Sequence, residues 1–198
     1  MQAETAVQTE SVQSTAVTIA LKEWSVAVDA IAQGETILIL RKGGIREHNG
    51  KFSAEANRVV LFPTYEHQKP ELLKAQYQSA VTPVPPGWHP ETITLKAWAE
   101  ITHIFLTDDA NKVEAIAPFH IWQPDLAQTR LKWKPNQPLY VLALRAHRFH
   151  NDITLPWQPT YGGCRSWVTL ASKLDLPENA VIKEERYLAQ VKEIEALL

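Results

Sequence analysis

Residues 92–106, TITLKAWAEITHIFL, decide the fold. Ile93, Leu95, Ala97, Ala99 and Ile101 alternate with Thr92, Thr94, Lys96, Trp98, Glu100 and Thr102, the period of two that a strand shows when one face is buried and the other solvated. Residues 139–149, LYVLALRAHRF, read as a second long strand rich in leucine, β-branched and aromatic side chains. Thr36–Leu40, apolar throughout and so buried on both faces, and Arg58–Phe62, closed by Pro63, add shorter strands, and residues 165–170 return to the sheet. Around the strands lie helical signals. Trp24, Ala27, Val28 and Ile31 fall at i, i+3, i+4 and i+7, with Gly34 placed to end that helix. Pro70 opens a short helix, Pro124–Trp133 another, and a last one runs from about Glu178 with Leu188, Val191, Ile194 and Leu198 on one stripe. The expected class is α+β: a mainly antiparallel sheet, curled or closed into a small β-barrel, with flanking helices.

The chain has 198 residues, 45% of them hydrophobic, enough for one substantial core. Residues 1–17, rich in Gln, Thr, Ser and Glu, read as a disordered tail, which leaves 18–198 as a single domain. Residues 82–90, TPVPPGWHP, form a stiff connector. Gly43-Gly44, Asn49-Gly50 and Asp108–Asn111 mark turns, and residues 156–163 a loop. A net charge of −2 announces no global affinity for nucleic acid or membrane. The charge is uneven, however. Seven Lys or Arg face four acids in 41–74, and five face none in 130–150. Two such segments side by side would make a basic face; apart, they are ordinary solvated surface. Cys164 is the only cysteine, so no intrachain disulfide or thiolate cluster forms. With no signal-peptide pattern at the N-terminus and no apolar run long enough to span a bilayer, a cytoplasmic protein without membrane contact is expected.

The densest chemistry lies in 36–74. Arg41-Lys42-Gly43-Gly44 follows a strand directly, where glycine N–H groups and two cations would suit an anion; Arg46 extends the set. Neither a Walker loop nor a dinucleotide fingerprint is present, and a tight turn with solvated cations is the plainer reading. Thr64, Glu66, His67 and Gln68 come next. A carboxylate beside an imidazole suits general acid–base work, making Glu66 and His67 the catalytic candidates, although adjacent strand residues point apart and a helix-capping role would equally explain His67. His103, His120, His147 and His150 have no metal-ligand spacing, so neither metal nor cofactor is expected. Cys164 is a candidate thiolate or a plain core residue. Trp88, Trp122, Trp133 and Trp157, beside prolines or loops and near Lys132, Lys134 and Arg148, offer a base-stacking surface or loop packing.

On ALKEWSVAVDAIAQGETILILRKGGI (20–45), LFPTYEHQKPELLK (61–74), TLKAWAEI (94–101), PLYVLALRAHRF (138–149) and YGGCRSWVTL (161–170), the chain resembles the uncharacterised family called domain of unknown function 1802. Association of some members with a restriction-endonuclease-like domain implies a DNA-defence context. Gly34 and Arg41, seven apart after a helix, are similar to the opening of ASCH domains, RNA-binding relatives of the PUA fold, which implies a small β-barrel. Lys and Glu of that motif are replaced here by Thr36 and Ile39. The first expectation is therefore a module binding DNA, RNA or a nucleotide, with Arg41, Lys42, Gly43, Gly44 and Arg46 on phosphate. Thr64, His67 and Gln68 would hydrogen-bond the ligand, and Tyr161, Cys164 and Trp167 would form a supporting wall. A phosphoester or nucleotide hydrolase using Glu66 and His67 is the second, and an interaction protein with no ligand site the third. Whether anything is catalysed, and the oligomeric state, stay open at this level.

Overall fold

The structure, a computed structural model, describes residues 17–42, 46–48, 51–53, 56–132 and 138–198. Of the tail expected at 1–17, residues 1–16 lie outside the described residues, as do Gly43-Gly44, Asn49-Gly50, Trp133 and Lys134, while Val17 already belongs to a strand. Chain order is β1 (Val17–Trp24), α1 (Ser25–Gln33), β2 (Leu38–Arg41), β3 (Arg46–His48), β4 (Lys51–Ser53), β5 (Arg58–Thr64) and α2 (Ala75–Gln78). Then come β6 (Thr92–Thr107), α3 (Ala110–Ala115), α4 (Pro124–Lys132), β7 (Leu139–Pro156), β8 (Trp167–Leu174) and α5 (Glu184–Leu197). The class is α+β. Six strands form one open sheet in the order β2-β7-β6-β5-β1-β8, and β3 pairs with β4. All described pairings are antiparallel except β1 with β5.

β1 corrects the sequence reading, in which Trp24 belongs to a helix. Val17-Thr18-Ile19 opens with β-branched residues, and Ala20 and Leu21 are both fully buried because the strand is central, with β5 and β8 on either side. Trp24 instead precedes α1 with strand-like ψ. Gly34 does end α1, at φ 75°: its N–H donates to Ile31 O and that of Glu35 to Ala30 O, the paired bonds that close a helix through a left-handed residue.

Strict alternation in β6 also fails, for a local reason. The ladder to β7 slips between Leu95 and Ala97 and again between Ile101 and His103, and each extra residue turns its successors in the strand to the other face. Ile93, Leu95 and Trp98 thus share one cluster with Phe62, Phe149 and Tyr161, while Ala97, Ala99 and Ile101 join Val59, Leu61, Leu142 and Leu144 beneath Val28 and Ile31 of α1. Trp98, expected on the solvated face, is buried and donates Nε1–H to Pro177 O at 3.0 Å. Asp109, read as part of a turn, caps α3, its Oδ1 accepting from Asn111 N at 2.8 Å. α5 starts at Glu184 rather than Glu178, and its inward stripe is Tyr187, Val191 and Ile194; Leu188 is 51% exposed. That stripe meets Val26, Ala27, Leu38, Leu40 and Trp122 in a third cluster.

Candidate functional site

Two parallel strands end together. Glu23 lies opposite Pro63 and Trp24 opposite Thr64, and the hydroxyl of Thr64 donates to Glu23 O at 3.0 Å. Beyond these carboxyl ends opens a cleft of about 840 Å3. Its floor is built from buried or half-buried residues of four elements: Lys22 and Glu23 of β1, Leu40 and Arg41 of β2, Phe62 of β5 and Arg130 of α4. The rim comes from loops, at 65–67, 87–90 and 162–166, with Trp157.

The floor is electrostatically unusual. Arg41 and Glu23 form an ion pair at 3.3 Å whose side chains are only 11% and 8% exposed, and Arg41 Nη2 also donates to Lys22 O. Arg130 donates from Nη1 to Leu40 O and lays its guanidinium 5.1 Å from the Trp122 ring. Burial pushes Arg130 below the ordinary arginine range, with Glu23 opposing and Arg41 reinforcing the shift. Lys22 donates from Nζ to Tyr161 O at 2.6 Å and to Gly163 O at 2.9 Å, which holds the 161–166 loop against β1. Its pKa is lowered, chiefly by burial. Lys42 is buried, donates to Leu131 O at 3.1 Å and is lowered by burial as well.

At the rim, Glu66 Oε1 accepts from Gly87 N at 2.6 Å, tying the proline-rich connector to the end of β5. Trp88 meets Tyr65 edge-on at 5.8 Å. His89 stacks on Trp157 with centroids 3.5 Å apart and planes 4° from parallel. His67, exposed, occupies the left-handed region at φ 62°, a conformation a non-glycine residue adopts mainly in turns.

Arg41, Lys42, Thr64, Glu66, His67, Tyr161 and Cys164 therefore share one cleft, although they come from three distant parts of the chain. Gln68 and Trp167 do not line it. Gln68 is buried and Oε1 accepts from Ser25 Oγ at 3.1 Å and Val26 N at 3.4 Å, so it caps α1 from across the fold. Trp167 pairs across from Leu21 in the sheet and packs against the α1 side. Tyr161 is buried and its hydroxyl accepts from Ala171 N at 3.2 Å, so it supports the wall. Gly43 and Gly44 lie outside the described residues, and only the backbone of Arg46 is described, in β3. Of the 130–150 segment, whose cations beside those of 41–74 would make a basic face, only Arg130 reaches the lining, and β7 contributes nothing to it. Trp122 is no stacking surface but a core residue, edge-on to Trp24 at 4.9 Å. Sequence reasoning passes over Lys22, Glu23, Arg130 and Arg165 as site residues. The available signal is the charged pair Lys22-Glu23 inside an otherwise apolar run, IALKEW (19–24). Among the described residues no group of three or more His, Cys, Asp or Glu is placed to hold a metal ion, and no helix is long and apolar enough to cross a membrane.

Residues 20–193 match the family described as "Domain of unknown function (DUF1802)". The chain belongs to the DUF1802 family. Every residue that lines the cleft of this DUF1802 chain lies within the match. No curated protein sequence matches it. Among solved structures it is similar to the ASCH protein of Zymomonas mobilis, at 11% identity over 90% of this chain and 94% of that one, TM-score 0.42. A mutant form of the same protein is similar at 12% identity over 88% and 96%, TM-score 0.43.

Proposed function

We propose that this DUF1802 chain binds nucleic acid or a nucleotide in the cleft at the ends of β1 and β5. One observation carries the reading: five cations, Lys22, Arg41, Lys42, Arg130 and Arg165, line the cleft against two carboxylates, Glu23 and Glu66, on a protein whose net charge is −2. The positive field is local, and it is bordered by aromatic faces at Trp88, Trp157 and His89. Cations that track phosphates, with flat rings on which bases stack, are the two requirements of single-strand recognition. The volume of about 840 Å3 suits a ligand of nucleotide size. The cytoplasmic location expected from the sequence and the DNA-defence role that the family resemblance implies belong to the same proposal. A preference for DNA over RNA supports that part, and the reverse removes it.

The test is titration of short single-stranded RNA and DNA by fluorescence anisotropy at several salt concentrations. An excess of about three charges predicts a log–log salt slope near −2, from about −0.7 per phosphate engaged. Binding that is absent, or indifferent to salt, rejects the proposal.

A further inference from the structure

The floor of the cleft is more specific than a basic groove. Arg41 and Arg130 both line it: Glu23 Oε2 is 3.3 Å from Arg41 Nη2, and the charge of Glu23 is felt at Arg130 against that of Arg41. Each guanidinium is also anchored by a backbone carbonyl, Lys22 O for Arg41 and Leu40 O for Arg130, before any ligand arrives. Arg41 Nε is buried and has no hydrogen-bond partner among the described residues, where a buried donor ordinarily has one. With Lys22 the floor holds three cations and one carboxylate, a formal excess of two.

That excess distinguishes between phosphates. An internal phosphodiester carries one negative charge, whereas a terminal monoester carries about 1.5 to 2 at pH 7 and presents three acceptor oxygens. Two prearranged guanidinium forks fit the second. The aromatic faces line the same cleft, with Trp88 39% exposed.

We infer that Arg41, Arg130 and Lys22 seat the terminal phosphate monoester of a nucleotide or chain end, with its base against the rim aromatics, rather than an internal stretch of backbone. The inference rests on the nucleotide-binding reading above. It places the ligand end-on in the cleft.

The experiment compares three forms of one pentauridylate, bearing a 5′-phosphate, a 3′-phosphate or hydroxyls at both ends, with the matching oligodeoxyuridylates as a second set. Expected is binding about tenfold tighter for one phosphorylated end than for the hydroxyl form, and the arm that gains identifies the end recognised. Equal affinity for all three forms overturns the inference while leaving the nucleic-acid reading intact. No binding by any form overturns both. The variant Arg130→Gln, with its fold checked by circular dichroism and thermal melting, should bring the ratio of phosphorylated to hydroxyl affinity towards one; an unchanged ratio in a folded variant also counts against the seat.

Discussion

Glu23 shows how a single side chain serves stability and restrains binding together. Its Oε2 pairs with the buried guanidinium of Arg41, and Oε1 accepts in addition from Trp24 N at 2.9 Å. Removing one partner of a buried ion pair leaves the other charge uncompensated, which costs about 3 kcal/mol. Glu23→Gln should therefore lower stability by about that amount in urea titration, yet bind anionic ligands on the order of tenfold more tightly, since the competing charge is gone. Loss of both properties would show that Glu23 organises the cleft rather than opposing the ligand. His120 is a second instance. It is buried, its Nδ1 accepts from Trp122 N at 3.2 Å, and burial, with Lys74 and Arg130 nearby, pushes its pKa down to about 4. The unfolded chain takes up a proton near pH 6.5 while the folded one stays neutral. Stability is thus complete above pH 6.5 and declines as pH falls towards 4, by about 3 kcal/mol. His120→Gln should flatten that limb of the stability profile, measured by denaturant midpoints from pH 7 to 4.

Among the elements, α1 is held at both ends by devices of unequal legibility. Its C-terminus is readable, because a glycine after an apolar periodic run has a local meaning. Gly34 sits at φ 75°, where an added Cβ would also meet Ile182 Cγ1 at 3.0 Å and Val181 Cγ1 at 3.1 Å. Gly34→Ala should cost roughly 1–3 kcal/mol in chemical denaturation, from left-handed strain and crowding together. Its N-terminus is not readable: the cap is Gln68, forty-two residues from Val26 in sequence. The same division explains β6 and α5. Periodicity locates both, but the register slip before Trp98, where Leu95 pairs with Ile153 and Ala97 with Arg148, comes from extra residues in the partner strand β7. The choice of Tyr187 over Leu188 is likewise made by the surface α5 meets, where Thr102 Oγ1 lies 2.5 Å from the Tyr187 hydroxyl.

For the whole molecule, the cleft is half legible. The residues with evident chemistry, Arg41, Thr64, Glu66, His67 and Cys164, do converge, but nothing in the sequence announces that β1 runs parallel to β5 and brings Lys22 and Glu23 among them. A strand read as the start of a helix hides its end. Convergence has a direct chemical check. Cys164 is exposed on the rim, so a maleimide should label it readily, a bound oligonucleotide should slow labelling severalfold, and prior labelling should weaken binding. Labelling at the same rate with and without ligand would place the ligand elsewhere.

The parallel pair also bears on how the protein is made. Ala20 pairs with Val60 on one side and with Val168 on the other. At a synthesis rate of roughly 5–20 residues per second, β1 waits on the order of ten seconds between leaving the ribosome and gaining its second neighbour. For that interval an apolar strand edge stands open to chaperones or to other nascent chains, and the 161–166 loop follows every other segment of the cleft off the ribosome. A ligand that touches every wall of the cleft can therefore do so only after residue 166 has been made.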